Sequence, residues 1–388
     1  MRPFRIEIPD SRLDDLHRRI AATRWPAGDA GPGWERGVPP SYLRELAGHW
    51  QSGYDWRAAE RELNAHPQYR TEIDGATVHF LHVRSPEPGA RPLLLTHGWP
   101  GSVVEFLDVI GPLTDPRAHG GHPRDAFHLV LPSLPGHGFS GPELEPGWDV
   151  GRIARAWVTL MDRLGHDSFL TAGGDWGSLV SLELARRAPD RVVGAHLAML
   201  PTLPSGDPAE LAALSDADLG RLAKLTRYDE ELSAYLRLQS TRPWTVSYGL
   251  TDSPVGQLAW IVEKFREWTD SAEVPEDAVD RDRLLTNVSV YWFTGTAASS
   301  ASLYYESAAH LRALFTPGAQ HPPVTVPVGV AAFGADPVTP VRALAERDLP
   351  SISHWSEFER GGHFPAMEQP EAYVGDLRVF ARSLRGQG

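Results

Sequence analysis

Short apolar runs alternate with amphipathic segments along most of the chain. The runs are four to ten residues long, with continuous or alternating apolar positions, which is typical of buried strands. They lie at 77–83, 93–96, 127–132, 168–172, 192–200, 324–333 and 352–358. Segments between them, such as 151–164 and 178–187, repeat apolar residues at helical spacing. Strands that alternate with helices predict an α/β fold with a mostly parallel sheet and helices on both faces.

The same patterns divide the chain into regions. The first part is polar and punctuated by tryptophan, with helical stretches at 11–22 and 41–48. A Pro- and Ser-rich segment at 201–208 follows the fifth strand-like run and opens a long helical stretch. The expected regions are an N-terminal segment at 1–75, a core in two parts at 76–200 and 321–388, and a helical insertion, the lid, at 201–320.

Composition and charge narrow the possible partners. The 388 residues carry 37 Lys and Arg against 50 Asp and Glu, a net charge of −13, and no basic stretch stands out. This balance argues against nucleic acid and anionic membrane surfaces as partners. The absence of cysteine excludes disulfides and thiolate chemistry and fits a cytoplasmic setting. No apolar run near Met1 has the length of a membrane anchor or signal peptide, so neither is expected.

No motif for a metal or cofactor stands out. The chain has neither a phosphate-binding loop of the Walker type nor a dinucleotide fingerprint. His119 and His122 flank two glycines in a Gly- and Pro-rich stretch, which we interpret as a solvated loop. We therefore expect chemistry that depends on no cofactor.

Gly173-Gly174-Asp175-Trp176-Gly177 has the pattern of a nucleophile elbow. An apolar strand-like run precedes this pentapeptide and a helical run follows it, which is the context that the motif requires. Small residues two before and two after the centre allow a strained backbone and close packing. The plain alternative is a Gly-rich turn in which the aspartate only caps a helix.

An aspartate at the centre of an elbow changes the chemistry that the turn supports. Serine attacking a saturated carbon would leave an unreactive ether, whereas a carboxylate leaves an ester that water can cleave. Asp175 is ionised at neutral pH and needs no base for the first step. A histidine is needed instead to activate water for the second step. Asp175 therefore indicates displacement at a saturated carbon that bears a leaving oxygen or halogen.

Two later residues complete a triad in the order nucleophile, acid, histidine. His363 lies in Arg360-Gly361-Gly362-His363-Phe364, directly after the strand-like run at 352–358, and is expected to be the general base. Asp336 follows the preceding run and is expected to orient the imidazole. Asp348 and Glu359 are the alternative acids.

An oxyanion hole is predicted from two backbone N–H groups. One belongs to Trp176, next to the nucleophile, and the other to Trp99, on the turn after the run at 93–96. The presence or absence of a proton donor distinguishes two possible reactions, the opening of an epoxide and the displacement of a halide. An epoxide oxygen leaves only if it is protonated or strongly hydrogen-bonded, for which tyrosine is suitable, whereas a halide needs only N–H donors.

The sequence resembles the epoxide hydrolases of the α/β-hydrolase fold, in the branch of the microsomal and juvenile-hormone enzymes and their bacterial relatives. The resemblance covers nearly the whole chain. It depends on His97-Gly98-Trp99-Pro100-Gly101-Ser102, on the elbow, on Arg360-Gly361-Gly362-His363-Phe364, and on the lid segments Gln239 to Phe265 and Leu284 to Ser307. It implies the α/β-hydrolase fold and an N-terminal region that wraps around the core and the lid.

The resemblance also selects among the six lid tyrosines. In that family two of them bind and protonate the epoxide oxygen, and here Tyr235 and Tyr304 fall at the matching positions, with Tyr305 one residue away as the alternative. The chain departs from the family in one site residue, because Asp336 stands where glutamate is often found. Either carboxylate can orient a histidine, so the implied mechanism is unchanged.

These observations together predict an epoxide hydrolase that forms a vicinal diol through an ester on Asp175. A haloalkane dehalogenase and a catalytically silent small-molecule binder are the alternatives. The expected partner is a small-molecule epoxide, bulky or aromatic, because lid and N-terminal aromatics imply a bulky apolar pocket. The family shape suggests secondary-metabolite biosynthesis, with detoxification as the other role, and a homodimer is left open.

Overall fold

A single mixed sheet forms the centre of the molecule. The computed structural model describes residues 1–28, 31, 33–314, 316 and 322–386, and in these ranges the strands lie in the order β1-β2-β3-β5-β4-β6-β7-β8-β9. The strands are β1 (Arg2–Phe4), β2 (Gln68–Ile73), β3 (Ala76–Val83), β4 (Arg91–Thr96), β5 (Phe127–Pro132), β6 (Phe169–Gly173), β7 (Val192–Leu197), β8 (Val328–Phe333) and β9 (Ile352–Phe358). The pairs β1–β2, β2–β3 and β3–β5 are antiparallel. The remaining pairs, β5–β4, β4–β6, β6–β7, β7–β8 and β8–β9, are parallel.

Helices flank the sheet and fill the interval between β7 and β8. The helices are α1 (Asp10–Ala21), α2 (Pro40–Ser52), α3 (Trp56–Leu63), α4 (Leu107–Thr114), α5 (Val150–Arg163), α6 (Trp176–Arg187), α7 (Pro208–Ala212), α8 (Asp216–Arg227), α9 (Ala234–Thr241), α10 (Pro243–Asp252), α11 (Pro254–Trp268), α12 (Arg281–Thr294), α13 (Ala297–Glu306), α14 (Ala308–Leu314), α15 (Arg342–Asp348), α16 (Pro365–Glu368) and α17 (Pro370–Ser383). A π-helical turn at Tyr228–Leu232 joins α8 to α9. No helix in the described ranges is long and apolar enough to cross a bilayer.

The sequence predicted all strands of the described sheet except β1 and β2, and its parallel strands are recognisable because they bury both faces. Every residue of β6 and β8 is buried, which accounts for their continuous apolar sequences. The run expected at 324–333 is shorter in the structure and begins at Val328. Pro323 and Pro327 have no N–H to donate to a neighbouring strand, so the ladder starts only after them. Helix α3 was not predicted.

The N-terminal segment contacts both the sheet and the lid. Its first strand, β1, pairs with β2 at one edge of the sheet. Helices α1 and α2 pack against α11 of the lid, and the Trp50 indole donates a hydrogen bond of 2.9 Å to Ser289 Oγ. The segment therefore connects the two parts of the molecule that enclose the cavity described below.

The lid is attached to the core through α12. Asn287 Nδ2 donates to the Pro100 carbonyl and the Tyr291 hydroxyl donates to the Gly101 carbonyl, each at 2.7 Å. The loop at 97–102, which follows β4, is thereby held from the lid side. The expected end of the lid, residue 320, lies outside the described residues.

Candidate active site

The carboxyl ends of four parallel strands bring the predicted residues together. Trp99 follows β4, Asp175 follows β6, Asp336 follows β8 and His363 follows β9. Ligands of open α/β sheets bind at this edge because the loops there converge. The four loops face the inner side of the lid, and between them lies a cavity that is partly open.

Asp175 occupies a strained backbone position at the start of α6. Its φ of 49° and ψ of −126° lie outside the regions that most residues adopt. The two glycines of the elbow make this possible, because a Cβ on Gly177 would lie 1.9 Å from the Thr96 carbonyl oxygen and one on Gly173 would lie 2.5 Å from it. The turn thus presses β6 and α6 against β4 and directs the carboxylate into the cavity.

His363 lies between two carboxylates. Its Nδ1 is 3.1 Å from Asp336 Oδ2, and its Nε2 is 3.4 Å from Asp175 Oδ2. Burial by itself lowers the pKa of His363, but the adjacent carboxylates of Asp336 and Asp175 outweigh it and hold the pKa well above its ordinary value. The imidazole is therefore cationic at neutral pH while Asp175 carries its charge.

The two predicted oxyanion donors differ in their contacts. The Trp99 N–H donates a hydrogen bond of 2.8 Å to Asp175 Oδ1. The Trp176 N–H makes no hydrogen bond to this carboxylate among the described residues, and as the first residue of α6 it has no partner within the helix. A Cβ on Gly98 would lie 2.4 Å from Asp175 Oδ1, so the loop approaches the nucleophile too closely for a larger residue.

Three lid tyrosines line the cavity beside Asp175, namely Tyr228, Tyr235 and Tyr304. The Tyr235 ring stacks on Trp99, and Tyr304 meets the Trp176 ring edge-on with centroids 4.8 Å apart. Burial raises the pKa of both Tyr235 and Tyr304 well above the ordinary value, so both hydroxyls remain donors.

The hydroxyls of these tyrosines have different partners. The Tyr235 and Tyr228 oxygens lie 2.7 Å apart and share a hydrogen bond. The Tyr304 hydroxyl is buried and has no hydrogen-bond partner in the part of the chain that the structure describes. A buried donor without a partner is costly, so an acceptor that enters the cavity would be stabilised there.

The other three lid tyrosines lie elsewhere. Tyr291 binds the Gly101 carbonyl, and Tyr248 and Tyr305 are exposed at 75% and 54%. Tyr304 and Tyr305 are neighbours on α13, and successive helical residues point about 100° apart. Of these two neighbours, Tyr304 lines the cavity and Tyr305 does not.

Apolar and aromatic side chains form most of the cavity wall. The cavity and its mouth together contain about 500 Å³ of space that no atom occupies, part of it open to solvent. Besides the triad histidine, the nucleophile and the tyrosines, its lining residues are Trp176, Leu179, Met199, Pro201, Leu236, Trp268, Leu311, Pro337 and Val338. A mostly apolar wall with a few converging polar groups is the usual form of a small-molecule site.

Sequence reasoning missed Glu105, a buried acid behind the loop at 97–102. Burial raises its pKa to about 8, with the nearby charge of His363 acting in the opposite direction. One of its carboxylate oxygens, Oε1, has no hydrogen-bond partner among the described residues. Ser102 and Glu105 have the spacing of a capping box, so helix capping is sufficient to explain a glutamate at position 105. An acid flanked by Val103, Val104 and Phe106 was the available signal.

Glu368 was also missed, and it holds the loop of the catalytic histidine. Its carboxylate accepts hydrogen bonds of 2.8 to 2.9 Å from the backbone N–H groups of Asp270, Gly362 and Phe364. Burial raises its pKa to about 7 despite these donors. The residue fixes the turn on both sides of His363 and joins it to the end of α11.

The alternative acids lie away from the site. Asp348 and Glu359 are exposed, and Asp348 pairs with the adjacent Arg347. His119 and His122 are exposed as well. In the described ranges no group of three or more His, Cys, Asp or Glu is arranged to hold a metal ion.

Comparisons with known proteins place this geometry in a family. Residues 1–106 match the family described as epoxide hydrolase N terminus, and residues 91–370 match the α/β-hydrolase fold. A provisionally named epoxide hydrolase from Stigmatella aurantiaca is 46% identical over 385 residues, covering 99% of this chain and 86% of the relative. Epoxide hydrolase 1 of Sus scrofa is 36% identical, covering 100% and 90%.

A solved structure agrees with these matches. The crystal structure of juvenile hormone epoxide hydrolase from Bombyx mori superimposes with a TM-score of 0.89 at 31% identity, covering 99% of this chain and 95% of that one. The fold class predicted from the sequence and the family resemblance are both confirmed. The chain belongs to the epoxide hydrolase family of the α/β-hydrolase fold.

Proposed function

We propose that this enzyme opens an epoxide by attack of Asp175 and then hydrolyses the resulting ester. The observation that carries the proposal is the position of the Asp175 carboxylate. One oxygen accepts the Trp99 N–H, the other faces His363, and the Tyr235 and Tyr304 hydroxyls line the same cavity. In the first step Oδ2 forms a bond to an epoxide carbon, the carbon–oxygen bond breaks, and a tyrosine donates its proton to the leaving oxygen.

The second step depends on the loss of negative charge from Asp175 in the first step. When Asp175 becomes an ester, it loses the negative charge that helps to raise the pKa of His363. The imidazole can then release its proton, which restores the tyrosine that was deprotonated in the first step, and accept one from water, while Asp336 retains its orientation through Nδ1. Water attacks the ester carbon, and the oxyanion that forms on Oδ1 is held by the Trp99 N–H and, in this proposal, by that of Trp176. The bond between this carbon and Oδ2 then breaks, His363 donates its proton to the leaving oxygen, and the diol departs with Oδ2 while the oxygen from water completes the Asp175 carboxylate.

The dehalogenase alternative receives support from one observation. Trp176 and Trp268 line the cavity, and their indole nitrogens are buried with no hydrogen-bond partner among the described residues. Such N–H groups could bind a halide. A dehalogenase would not need phenols beside the nucleophile, however, so Tyr235 and Tyr304 favour the epoxide, in accordance with the family.

Trapping the ester tests the proposal directly. In a His363→Gln variant the first step should proceed and the second should stop, because no base activates water. Intact-mass spectrometry with an aryl or alkyl epoxide should show one added epoxide mass, and peptide mapping should locate it on the peptide that contains Asp175. Wild-type protein should show diol and little adduct.

Two further variants separate the alternatives. Asp175→Asn should form no adduct with any epoxide. A Tyr235→Phe, Tyr304→Phe double variant should lose epoxide opening by roughly two orders of magnitude or more, whereas a dehalogenase would retain its activity on haloalkanes. Absence of adduct in His363→Gln across aryl and alkyl epoxides would contradict the proposal and favour a silent binder.

The cellular location, the type of epoxide and the oligomeric state are further proposals. A cytoplasmic location is supported by the absence of cysteine, and a bulky apolar epoxide by the cavity wall. Cell fractionation tests the location, and analytical ultracentrifugation tests whether the chain forms a homodimer. A role in secondary-metabolite biosynthesis or in detoxification depends on the natural epoxide.

A further inference from the structure

Lys264 is a buried lysine of α11 to which the proposed mechanism gives no part. Its side chain is 4% exposed, although lysine side chains are seldom buried in proteins. The chain has 37 Lys and Arg residues, of which Lys224 and Lys264 are the two lysines, and Lys224 is exposed. A role in solubility therefore does not explain the ammonium group at position 264.

Aromatic rings surround this ammonium group. Its Nζ lies 4.7 Å from the ring centroid of Tyr235, 5.8 Å from that of Trp260 and 5.9 Å from that of Trp268. Trp260, Lys264 and Trp268 are spaced four residues apart on α11, so they share one face of the helix. A cation within about 6 Å of an aromatic ring face is attracted by its electrons. Lys264 is thus held against the ring of a proposed proton donor.

The carboxylate that pairs with Lys264 lies closer to solvent. Glu263 Oε1 accepts a hydrogen bond from Lys264 Nζ. The Glu263 side chain is 35% exposed and lines a surface groove between the N-terminal segment and the lid, whereas Tyr235 is buried beside the cavity. Solvent and salt screen an exposed charge more than a buried one. The ion pair therefore presents its positive end to Tyr235.

A cation at this place matters only when Tyr235 loses its proton. The charge of a phenolate spreads from the oxygen into the ring, so a cation over the ring attracts a phenolate more strongly than a neutral phenol. Burial opposes the phenolate, as do the adjacent Tyr228, Tyr304 and Asp175, and together they raise the pKa of Tyr235. Lys264 acts against these effects.

We propose that Lys264 promotes the first step by stabilising the phenolate of Tyr235, and that Tyr235 is therefore the tyrosine that supplies the proton. The proton passes from the Tyr235 oxygen to the epoxide oxygen, and Lys264 keeps its own. Lys264 is a positioning residue in this scheme, since it acts through Tyr235 and not on the substrate. The proposal depends on the proposed function, because it assumes that an epoxide is opened.

Lys264→Met removes the charge and retains an unbranched side chain. In single-turnover measurements with an aryl epoxide, ester formation should slow roughly tenfold and ester hydrolysis should not slow. Glu263→Gln is the matched control, because it removes the other half of the ion pair and leaves the ammonium group. Its rate of ester formation should equal or exceed that of the wild type. The proposal is overturned if Lys264→Met slows neither step or both, or if the two variants slow ester formation equally.

Double variants test whether Lys264 acts through Tyr235. Added to Tyr304→Phe, Lys264→Met should slow ester formation as much as it does in the wild type. Added to Tyr235→Phe, it should have no further effect, because no phenolate can form at that position. The reverse pattern would assign the proton to Tyr304 and contradict the proposal, and equal effects in both backgrounds would indicate a merely structural role.

A titration without turnover separates this proposal from the proposed function. Tyr235 is replaced by a difluorinated tyrosine, a more acidic phenol whose ionisation is followed by absorbance. Its pKa should be higher by about one pH unit in Lys264→Met than in the protein that retains Lys264, and equal values would overturn the proposal. If Lys264→Met does not fold, Glu263→Gln should lower the same pKa, and an unchanged value would contradict the proposal. If the wild-type protein opens no epoxide, the proposed function fails, whereas the titration still decides whether Lys264 stabilises the phenolate.

Discussion

Tyr228 connects the proposed proton donor to the rest of the lid. When Tyr235 donates to an epoxide oxygen, its own oxygen gains negative charge, and burial opposes that charge by raising the pKa. A neighbouring hydroxyl that donates to this oxygen stabilises it. Tyr228, 2.7 Å away, is placed to do so, and we expect it to be a positioning residue for the first step only.

Tyr228→Phe retains the ring and removes this donor. The rate of ester formation should fall roughly tenfold, as is typical for the loss of a hydrogen bond to a developing charge. The rate of ester hydrolysis should not change. Single-turnover fluorescence separates the two rates, and Tyr248→Phe, on an exposed residue of the same lid, is the control. Equal slowing of both steps would indicate a merely structural role.

The structure brings together the predicted site residues whose positions follow from chain order and strand ends. Asp175, Asp336 and His363 each follow a recognisable strand, and the structure brings them within hydrogen-bonding or ion-pair distance. Glu105 could not be found in this way, because its burial depends on which loop covers it in the fold. A spacing that also fits a capping box offered a simpler explanation.

Among the elements, the elbow tolerates the least change. A Cβ on Gly177 would meet the carbonyl of Thr96, and backbone cannot move aside as a flexible side chain can. Gly220, in α8, has nothing within 4 Å of its Cβ position and provides a matched helical glycine.

Replacing these two glycines by alanine should change the free energy of unfolding in opposite directions. Gly177→Ala should lower the free energy of unfolding by about 2 kcal/mol or more and abolish activity, because overpacking displaces Asp175. Gly220→Ala should raise it by about 0.5–1 kcal/mol, since alanine favours the helix. Urea denaturation measures both. Similar effects at the two positions would contradict the steric argument.

Strands were easier to predict than lid helices for a physical reason. Buried parallel strands give continuous apolar runs, as in β6 and β8. Helix α12 contacts the core, the N-terminal segment and other lid helices, and its residues from Leu284 to Phe293 are all buried. A helix covered on every side has no polar face, so periodicity gives no signal for its bounds.

For the whole molecule, buried histidines link stability to pH. Burial lowers the pKa of His97 to about 4 and that of His137 to about 3, so both are neutral in the folded protein. The unfolded chain, with pKa values near 6.5, binds more protons below that pH. Their contribution to stability is therefore complete above about pH 6.5 and is lost as the pH falls toward 4.

Each such histidine should lower the free energy of unfolding by up to about 1.4 kcal/mol per pH unit between pH 6.5 and pH 5. The raised pKa values of Glu105 and Glu368 act in the opposite direction over this range, so the slope is compared between variants. His137→Gln should have a shallower pH dependence than the wild type, whatever its stability at pH 7.5. The control is His122→Gln, at an exposed histidine. Urea denaturation at pH 7.5, 6.5 and 5.5 gives the slopes, and parallel slopes for wild type and His137→Gln would contradict the prediction.

The contacts of α12 with Pro100 and Gly101 limit how the enzyme can admit a substrate. These hydrogen bonds join the lid to the loop whose Trp99 N–H holds Asp175. A lid that swung open as a rigid flap would pull that loop and release the nucleophile from its donor. We therefore expect the α12 part of the lid to stay in place, so that a substrate reaches Asp175 by a route that leaves this loop undisturbed.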